Sequence, residues 1–147
     1  PHPPVPPFLT PTAAYALFYN NSATGATYAA GENIAYQSTL YNTATTDIVN
    51  NNGLITLSGG TTGKAYLVNY QVTGETANDA TLALAINGTV DSNSEIIPNS
   101  ATGTSNGSYI VNVPANSTST VALRVVSGTV TTASPTVGSY LSVIRIA

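Results

Sequence analysis

The chain has 147 residues, of which only 6% are charged, and a formal net charge of −3 at pH 7. Soluble domains usually carry about 25% charged residues, so we expect a surface of hydroxyl and amide groups without electrostatic steering of ligands. Three scattered basic residues cannot form the cationic face that nucleic acid requires. The sequence has no cysteine, which excludes disulfides and thiolate chemistry. It also has no run of about 20 apolar residues that would predict a membrane-spanning helix.

Residues 1–13 are predicted to form an extended arm outside the domain. Six of the nine prolines lie in the first eleven residues, and proline disfavours both helix and sheet, which favours polyproline II. A stiff disordered leader is the simplest alternative. Apolar residues on a low-entropy segment instead suit docking into a groove of another chain. The candidate docking residues are Val5, Pro6, Pro7, Phe8 and Leu9.

From residue 14 onward, short apolar runs alternate with turn residues, so residues 14–147 are predicted to form one domain. β-branched and aromatic residues dominate the runs, and Asn, Gly and Ser cluster between them. The predicted strands are 14–19, 34–41, 54–57, 64–73, 81–86, 109–113, 120–126 and 139–146. Runs with this spacing indicate an all-β sandwich or barrel.

The longest alternating run, 64–73, predicts which side of the strand faces the core. One face holds Tyr66, Val68, Tyr70 and Val72, and the other holds Leu67, Asn69 and Gln71. The aromatic and branched face is predicted to belong to the core.

The final predicted strand, 139–146, is apolar on both faces. Tyr140, Ile144 and Ile146 point one way, and Leu141 and Val143 point the other. We therefore expect burial on both faces, as in a central strand under loops or a strand covered by a second subunit. For a domain of this size, a subunit interface is the simpler explanation.

Six segments in a fixed order carry a family resemblance. They read AYALFY at 14–19, GENIAY at 31–36, GLITL at 53–57, GKAYLVNYQV at 63–72, AING at 85–88 and GSYLSVIRI at 138–146. Together they resemble the C-terminal head domain of BclA-type collagen-like glycoproteins of the bacterial spore surface, or exosporium. That family is a branch of the C1q and tumour necrosis factor (TNF) jelly rolls. The resemblance implies a jelly-roll sandwich of about ten strands that trimerises around a three-fold axis.

The resemblance also implies which residues lie at the trimer axis and what the protein does. Inner-strand residues would form the interface, here Tyr66, Tyr140, Val143, Ile144 and Ile146. The chain departs from the family because a proline-rich segment stands where the Gly-x-y collagen stalk normally precedes the head. That segment is similar to the leader by which such spore proteins attach to a basal layer or to another fibre subunit.

The implied function is a self-assembling structural subunit of an endospore surface fibre, or appendage. Trimeric heads would be linked head to tail by their arms, with a spore-surface anchoring protein and a tip protein as possible further partners. The alternative is a terminal adhesin or lectin-like head that binds a glycan or a host ligand.

Enzymatic chemistry and cofactors are not expected. The one histidine, His2, lies in the arm, so a Ser-His-Asp arrangement cannot form in the core of one chain. Most of the six carboxylates lie beside turn residues, where a solvated loop position explains them. Two pairs, Glu75 with Asp79 and Asp91 with Glu95, are weak candidates for Ca²⁺ ligands.

Two further motifs are interpreted as turns. Residues 58–64 superficially resemble a phosphate-binding loop, but Gly63 and Lys64 lead into a strand rather than a helix, so a hairpin turn is predicted. Asn-x-Ser/Thr triplets begin at Asn20, Asn87, Asn106 and Asn116. In a chain this rich in Asn, Ser and Thr they arise by chance and mark turns.

Overall fold

The computed structural model describes residues 14–22, 25–98, 104–132 and 139–147, without the side chains of residues 75–79. Within these ranges the chain forms ten strands and one short 3-10 helix, Ser92–Ser94. The strands are β1 (Tyr15–Tyr19), β2 (Thr27–Ala29), β3 (Ser38–Asn42), β4 (Ile48–Asn51), β5 (Leu54–Ser58), β6 (Lys64–Ile86), β7 (Thr89–Val90), β8 (Thr104–Val113), β9 (Thr118–Thr132) and β10 (Tyr140–Arg145). The predicted arm lies outside the described residues.

The strands form two antiparallel sheets whose inner faces share one core. Sheet A has the order β3-β1-β10-β6-β8, and sheet B has the order β4-β5-β9-β6-β7 with β2 also paired to β9. The first part of β6 belongs to sheet A, and the part from Gly74 onward belongs to sheet B. The all-β prediction is confirmed. The part of the chain that the structure describes holds no helix that would reach across a bilayer.

The alternation predicted for 64–73 is also confirmed, because the tyrosine and valine face is buried and the opposite face is partly exposed. Three buried tyrosines anchor this core. Tyr36 donates its hydroxyl proton to the Gln71 carbonyl at 3.0 Å, Tyr66 to that of Ser58 at 2.6 Å, and Tyr70 to that of Ser94 at 2.6 Å. Each hydrogen bond gives the buried phenol hydroxyl a partner. Burial of the hydroxyl without a partner would cost free energy.

Two predicted strands, 64–73 and 81–86, are parts of the single strand β6. The polar residues between them predicted a break, but the strand continues through irregular pairing near Gly74 and again between Asn78 and Leu82. Such bulges bend a strand without ending it. They accompany the passage of β6 from sheet A into sheet B.

Several short elements differ from their predicted bounds. The sequence did not predict β2, β4 and β7, and in β4 only Ile48 is buried, so no alternation marks it. The predicted strand 34–41 is a strand only from Ser38 onward, although Ile34 and Tyr36 are fully buried. The Asn87-Gly88 turn is confirmed as a tight hairpin, with φ of 53° and 82° at the two residues, a pattern that Asn-Gly pairs favour.

The prediction of a hairpin at residues 58–64 is wrong. These residues do turn the chain, but β5 lies in sheet B and β6 begins in sheet A, so the two strands do not pair with each other. The crossing is fixed to the β8–β9 turn, because the Gly59 N–H donates to the Ser117 carbonyl at 2.9 Å and the Asn116 N–H donates to the Gly60 carbonyl at 2.7 Å. At the end of this crossing, the Lys64 Nζ forms an ion pair with the Asp47 Oδ2 at 2.9 Å.

Candidate interaction surface

The outer face of sheet A, which points away from the core, carries a continuous apolar row. The strand register places Tyr15 beside Ile144, Ile144 beside Leu67, and Leu67 beside Ile110. Paired residues of antiparallel strands share a face, so these four side chains cross β1, β10, β6 and β8 in line. We call them the apolar row. Tyr15, Ile144 and Ile110 are 42%, 39% and 54% exposed.

Two further residues enlarge the apolar row. The ring of Tyr41 lies edge-on to that of Tyr15, with centroids 5.5 Å apart. Ile146, just after β10, is exposed, and its N–H donates to the Ala65 carbonyl of β6 at 2.8 Å. Contiguous apolar side chains on a surface mark a site of interaction.

The five residues predicted for the trimer interface fall into two groups, three with accessible surface and two that are fully buried. Tyr140, Ile144 and Ile146 keep accessible surface, and Tyr140 and Ile144 lie on the outer face of sheet A, so for these three the interface stays a prediction. For Tyr66 and Val143 it is wrong, because both are 0% exposed within a single chain. They alternate with the outward residues and point into the core, where another subunit cannot reach them.

The core beneath the apolar row holds tyrosines that resist ionisation. Burial, followed by the Asp47 carboxylate, raises the pKa of Tyr66 to about 12, with Arg145 acting in the opposite direction. Burial also raises the pKa of Tyr36 and of Tyr70. The folded chain therefore favours the neutral phenols over the phenolates.

We expect the free energy of unfolding to fall as the pH rises from about 10 to about 12. An unfolded tyrosine ionises near pH 10, so between these values the folded state holds protons that the unfolded state has lost. The contribution of Tyr66 is complete below pH 10 and is lost by about pH 12. Urea unfolding followed by circular dichroism across this range measures the slope.

Two variants test the assignment of this alkaline loss. Tyr66→Phe removes one titrating group and should flatten the pH dependence. Ile55→Val, a buried change without a titrating group, should lower the free energy of unfolding by about 1 kcal/mol at every pH. A slope in Tyr66→Phe as steep as in the parent would show that Tyr66 is not the group responsible.

A polar array adjoins the apolar row on the same face. One register level aligns Ser142, Asn69 and Ser108, and the next aligns Tyr140, Gln71 and Asn106. We call these six side chains the polar array. They line a depression of about 370 Å³ together with Tyr70 and Gly107.

Asn69 is held in place by its neighbours in the polar array. It accepts a hydrogen bond from the Ser108 hydroxyl at 2.6 Å and donates to the Ser142 oxygen at 3.4 Å. The sequence predicts a turn at Asn106, but this residue lies within β8. That prediction is wrong because an isolated triplet says nothing about the strand that surrounds it, whereas Asn87 and Asn116 do lie in turns.

The candidate Ca²⁺ ligands do not form a site among the described side chains. Asp91 uses one carboxylate oxygen to accept from the Tyr109 hydroxyl at 2.6 Å and the other to accept from the Asn93 N–H at 3.0 Å. These bonds lower the pKa of Asp91. Glu75 and Asp79 lie inside β6, and their side chains are outside the described set. No group of three His, Cys, Asp or Glu residues gathers in the described parts of the chain.

Solved structures with a similar fold include TNF-like and C1q domains. Eiger TNF from S. frugiperda has a TM-score of 0.64 and 12% identity, covering 91% of this chain and 92% of that one. Murine APRIL at pH 8.5 has a TM-score of 0.66 and 8% identity, covering 90% and 99%. The globular domain of zebrafish complement 1qA has a TM-score of 0.52 and 12% identity, covering 90% and 94%. No protein-family model and no curated protein sequence matches the chain. Identities this low relate folds alone, and in fold the chain is a C1q/TNF-like jelly roll.

Proposed function

We propose that this chain is a structural, non-enzymatic domain that assembles as a homotrimer through the apolar row on the outer face of sheet A. The apolar row carries the proposal. It crosses four adjacent strands, and three of its four side chains are more than one-third exposed in a single chain. A second copy that covers this surface removes its apolar side chains from water, and this stabilises the assembly.

The energetics favour association through this face. Complete burial of one large apolar side chain contributes about 1.5–3 kcal/mol, and each copy offers the apolar row together with Tyr41 and Ile146. The parts of sheet A that the apolar row crosses, β1, β10, β8 and the first part of β6, contain two charged residues, Lys64 and Arg145. Lys64 is already paired with Asp47, so few ionic groups would have to be desolvated. The low charge of the whole chain also limits repulsion between copies.

The proposal extends to a fibre on the surface of a bacterial endospore, as an exosporium component or appendage. Trimeric heads would be linked head to tail by the arm, residues 1–13, whose candidate contacts are Val5, Pro6, Pro7, Phe8 and Leu9. The support is the resemblance in sequence and the concentration of proline before the domain. A spore-surface anchoring protein and a tip protein would complete the fibre at its two ends.

The surroundings of the carboxylates support a non-enzymatic role. Three of the four carboxylates whose side chains are described have a local structural partner. Asp47 pairs with Lys64, Asp91 caps the Ser92–Ser94 helix, and Glu32 accepts from the Ala29 N–H at 3.3 Å. The fourth, Glu95, is exposed. Four surface depressions of the described chain have no carboxylate in their lining, so none of these four has the paired carboxylates of a glycosidase.

Deletion of residues 1–13 tests the linking role of the arm. The expected product is a particle with the oligomeric mass of the parent head that forms no fibres in negative-stain electron microscopy. Light scattering measures the mass, and imaging at matched protein concentration measures the fibres.

A substitution variant separates the apolar contacts of the arm from its length. Val5→Ser, Phe8→Ser and Leu9→Ser combined keep every proline and remove only the apolar side chains. We expect the same loss of fibres as in the deletion. Fibres as long and as frequent as those of the parent in both variants would rule out the linking role, and the mass of the head would still report on the trimer.

A further inference from the structure

The polar array on the outer face of sheet A has the composition of a ligand site. Amides, hydroxyls and one phenol meet there, and no charged residue lines the depression that they form. We infer that the polar array binds a neutral sugar. The inference goes beyond fibre assembly. All six side chains come from one chain, so the site does not need a second subunit to complete it.

The geometry provides a depression of suitable size. Three adjacent strands, β10, β6 and β8, each contribute two side chains at successive outward positions, so the array is a block of two rows by three columns. Its volume of about 370 Å³ lies in the range of small-molecule sites, at the lower end. A single sugar ring or a disaccharide matches that scale.

The hydrogen-bond pattern leaves some groups fixed and others open. Asn69 is oriented by Ser108 and Ser142, so part of the array is already ordered before a ligand arrives. The Asn106 amide and the Tyr140 hydroxyl make no hydrogen bond to a described residue, and both side chains retain exposed surface. They can therefore donate to and accept from a ligand without losing an internal bond.

The chemistry of these groups selects a neutral polyol over other ligands. A sugar hydroxyl both donates and accepts, as do amides and hydroxyls, and the apolar face of a sugar ring can lie against an aromatic ring such as that of Tyr140. Phosphate and nucleotide ligands require cationic partners, and none lines the depression. Apolar peptides would leave the amides of the array without partners.

The polar array begins at the outward position next to the apolar row and extends away from it along β10, β6 and β8. Along β10, Ser142 and Tyr140 lie two and four residues from Ile144, which corresponds to about 7 and 13 Å. A trimer closed by the apolar row can therefore leave the Tyr140 end of the polar array open, and Tyr140 then belongs to the sugar site rather than to the trimer interface predicted for it.

The test uses the full chain in its assembled state and a set of methyl glycosides as probes. The set comprises the methyl glycosides of glucose, galactose, mannose, rhamnose and N-acetylglucosamine. Saturation-transfer NMR should detect contact with at least one of them, and titration gives its dissociation constant. Asn106→Ala should weaken that binding about tenfold, the effect of one lost hydrogen bond to a ligand.

A matched variant on the same strand is the control. Asn112 lies on β8 with the same outward orientation as Asn106, is also exposed, and does not line the depression. Asn112→Ala should bind the probe as the parent does. Absence of saturation transfer from every glycoside, or equal effects of Asn106→Ala and Asn112→Ala, would overturn the inference.

Assembly and sugar binding are read out separately. Light scattering reports the mass of the parent and of each variant. Failure of the proposed trimer appears as a parent mass that is not three times that of one chain, and failure of the sugar site appears as absence of saturation transfer. Binding by the monomeric Ile144→Asp variant without binding by the assembled parent would show that assembly covers the array, which also overturns the inference.

Discussion

Replacement of Ile144 by aspartate is expected to convert the assembled protein into monomers of about 15 kDa. Ile144 lies inside the apolar row, with Tyr15 on one side and Leu67 on the other. An aspartate there would place an unpaired carboxylate inside the interface of each copy, and the desolvation of such a charge costs several kcal/mol. Size-exclusion chromatography with light scattering measures the result.

Val126→Asp is the matched control for Ile144→Asp. Val126 lies in β9 and is 40% exposed, against 39% for Ile144, but it belongs to the other sheet. The Val126 variant should keep the oligomeric mass of the parent. Circular dichroism should show folded protein in both variants, because both positions point away from the core. A folded Ile144→Asp protein with the parent mass would refute the proposed interface.

Gly59→Ala is expected to lower the free energy of unfolding by about 3 kcal/mol or more, a large effect for a single added methyl group. A Cβ at this position would lie 1.9 Å from the Pro114 carbonyl oxygen and 2.9 Å from that of Val113. These are backbone atoms, held by the hydrogen bonds from Gly59 to Ser117 and from Asn116 to Gly60. The turn between β8 and β9 would have to move away from the end of β5.

Thermal unfolding measures this effect, with Gly88→Ala as its control. For a chain of this length, the loss corresponds to a fall in Tm of about 10 °C. A Cβ at Gly88 would have no neighbour within 4 Å, although the φ of 82° there is unfavourable for alanine. Gly88→Ala should therefore cost only about 1 kcal/mol. Equal losses in the two variants would contradict the prediction that contact with the Pro114 carbonyl makes glycine necessary at residue 59.

The elements predicted well from sequence are those whose signal is local. The alternation of Tyr66, Val68, Tyr70 and Val72 follows from the two-residue period of a strand, and it places these side chains in the core whichever strands are neighbours. The Asn87-Gly88 hairpin likewise depends only on the backbone preferences of two residues.

The errors arise where the outcome depends on distant parts of the chain. The sequence around residues 58–64 is that of a turn, but whether β5 and β6 pair depends on which sheet each one joins. Tyr66 and Val143 have the residue types of an interface, yet the pairing of β10 with β6 turns both inward. The polar array also depends on register, since it aligns residues more than 30 positions apart along the chain.

The placement of β1 between β3 and β10 has a mechanical consequence. Ala14 leads directly into β1, and β1 is hydrogen-bonded along its length to a strand on each side. A pull along the axis of β1, with the opposite end of the domain held, would load both ladders in shear. Hydrogen bonds loaded in shear yield together, whereas those of a peeled strand yield one at a time. An arm attached before Ala14 would thus transmit tension into a strand that is hydrogen-bonded on both sides.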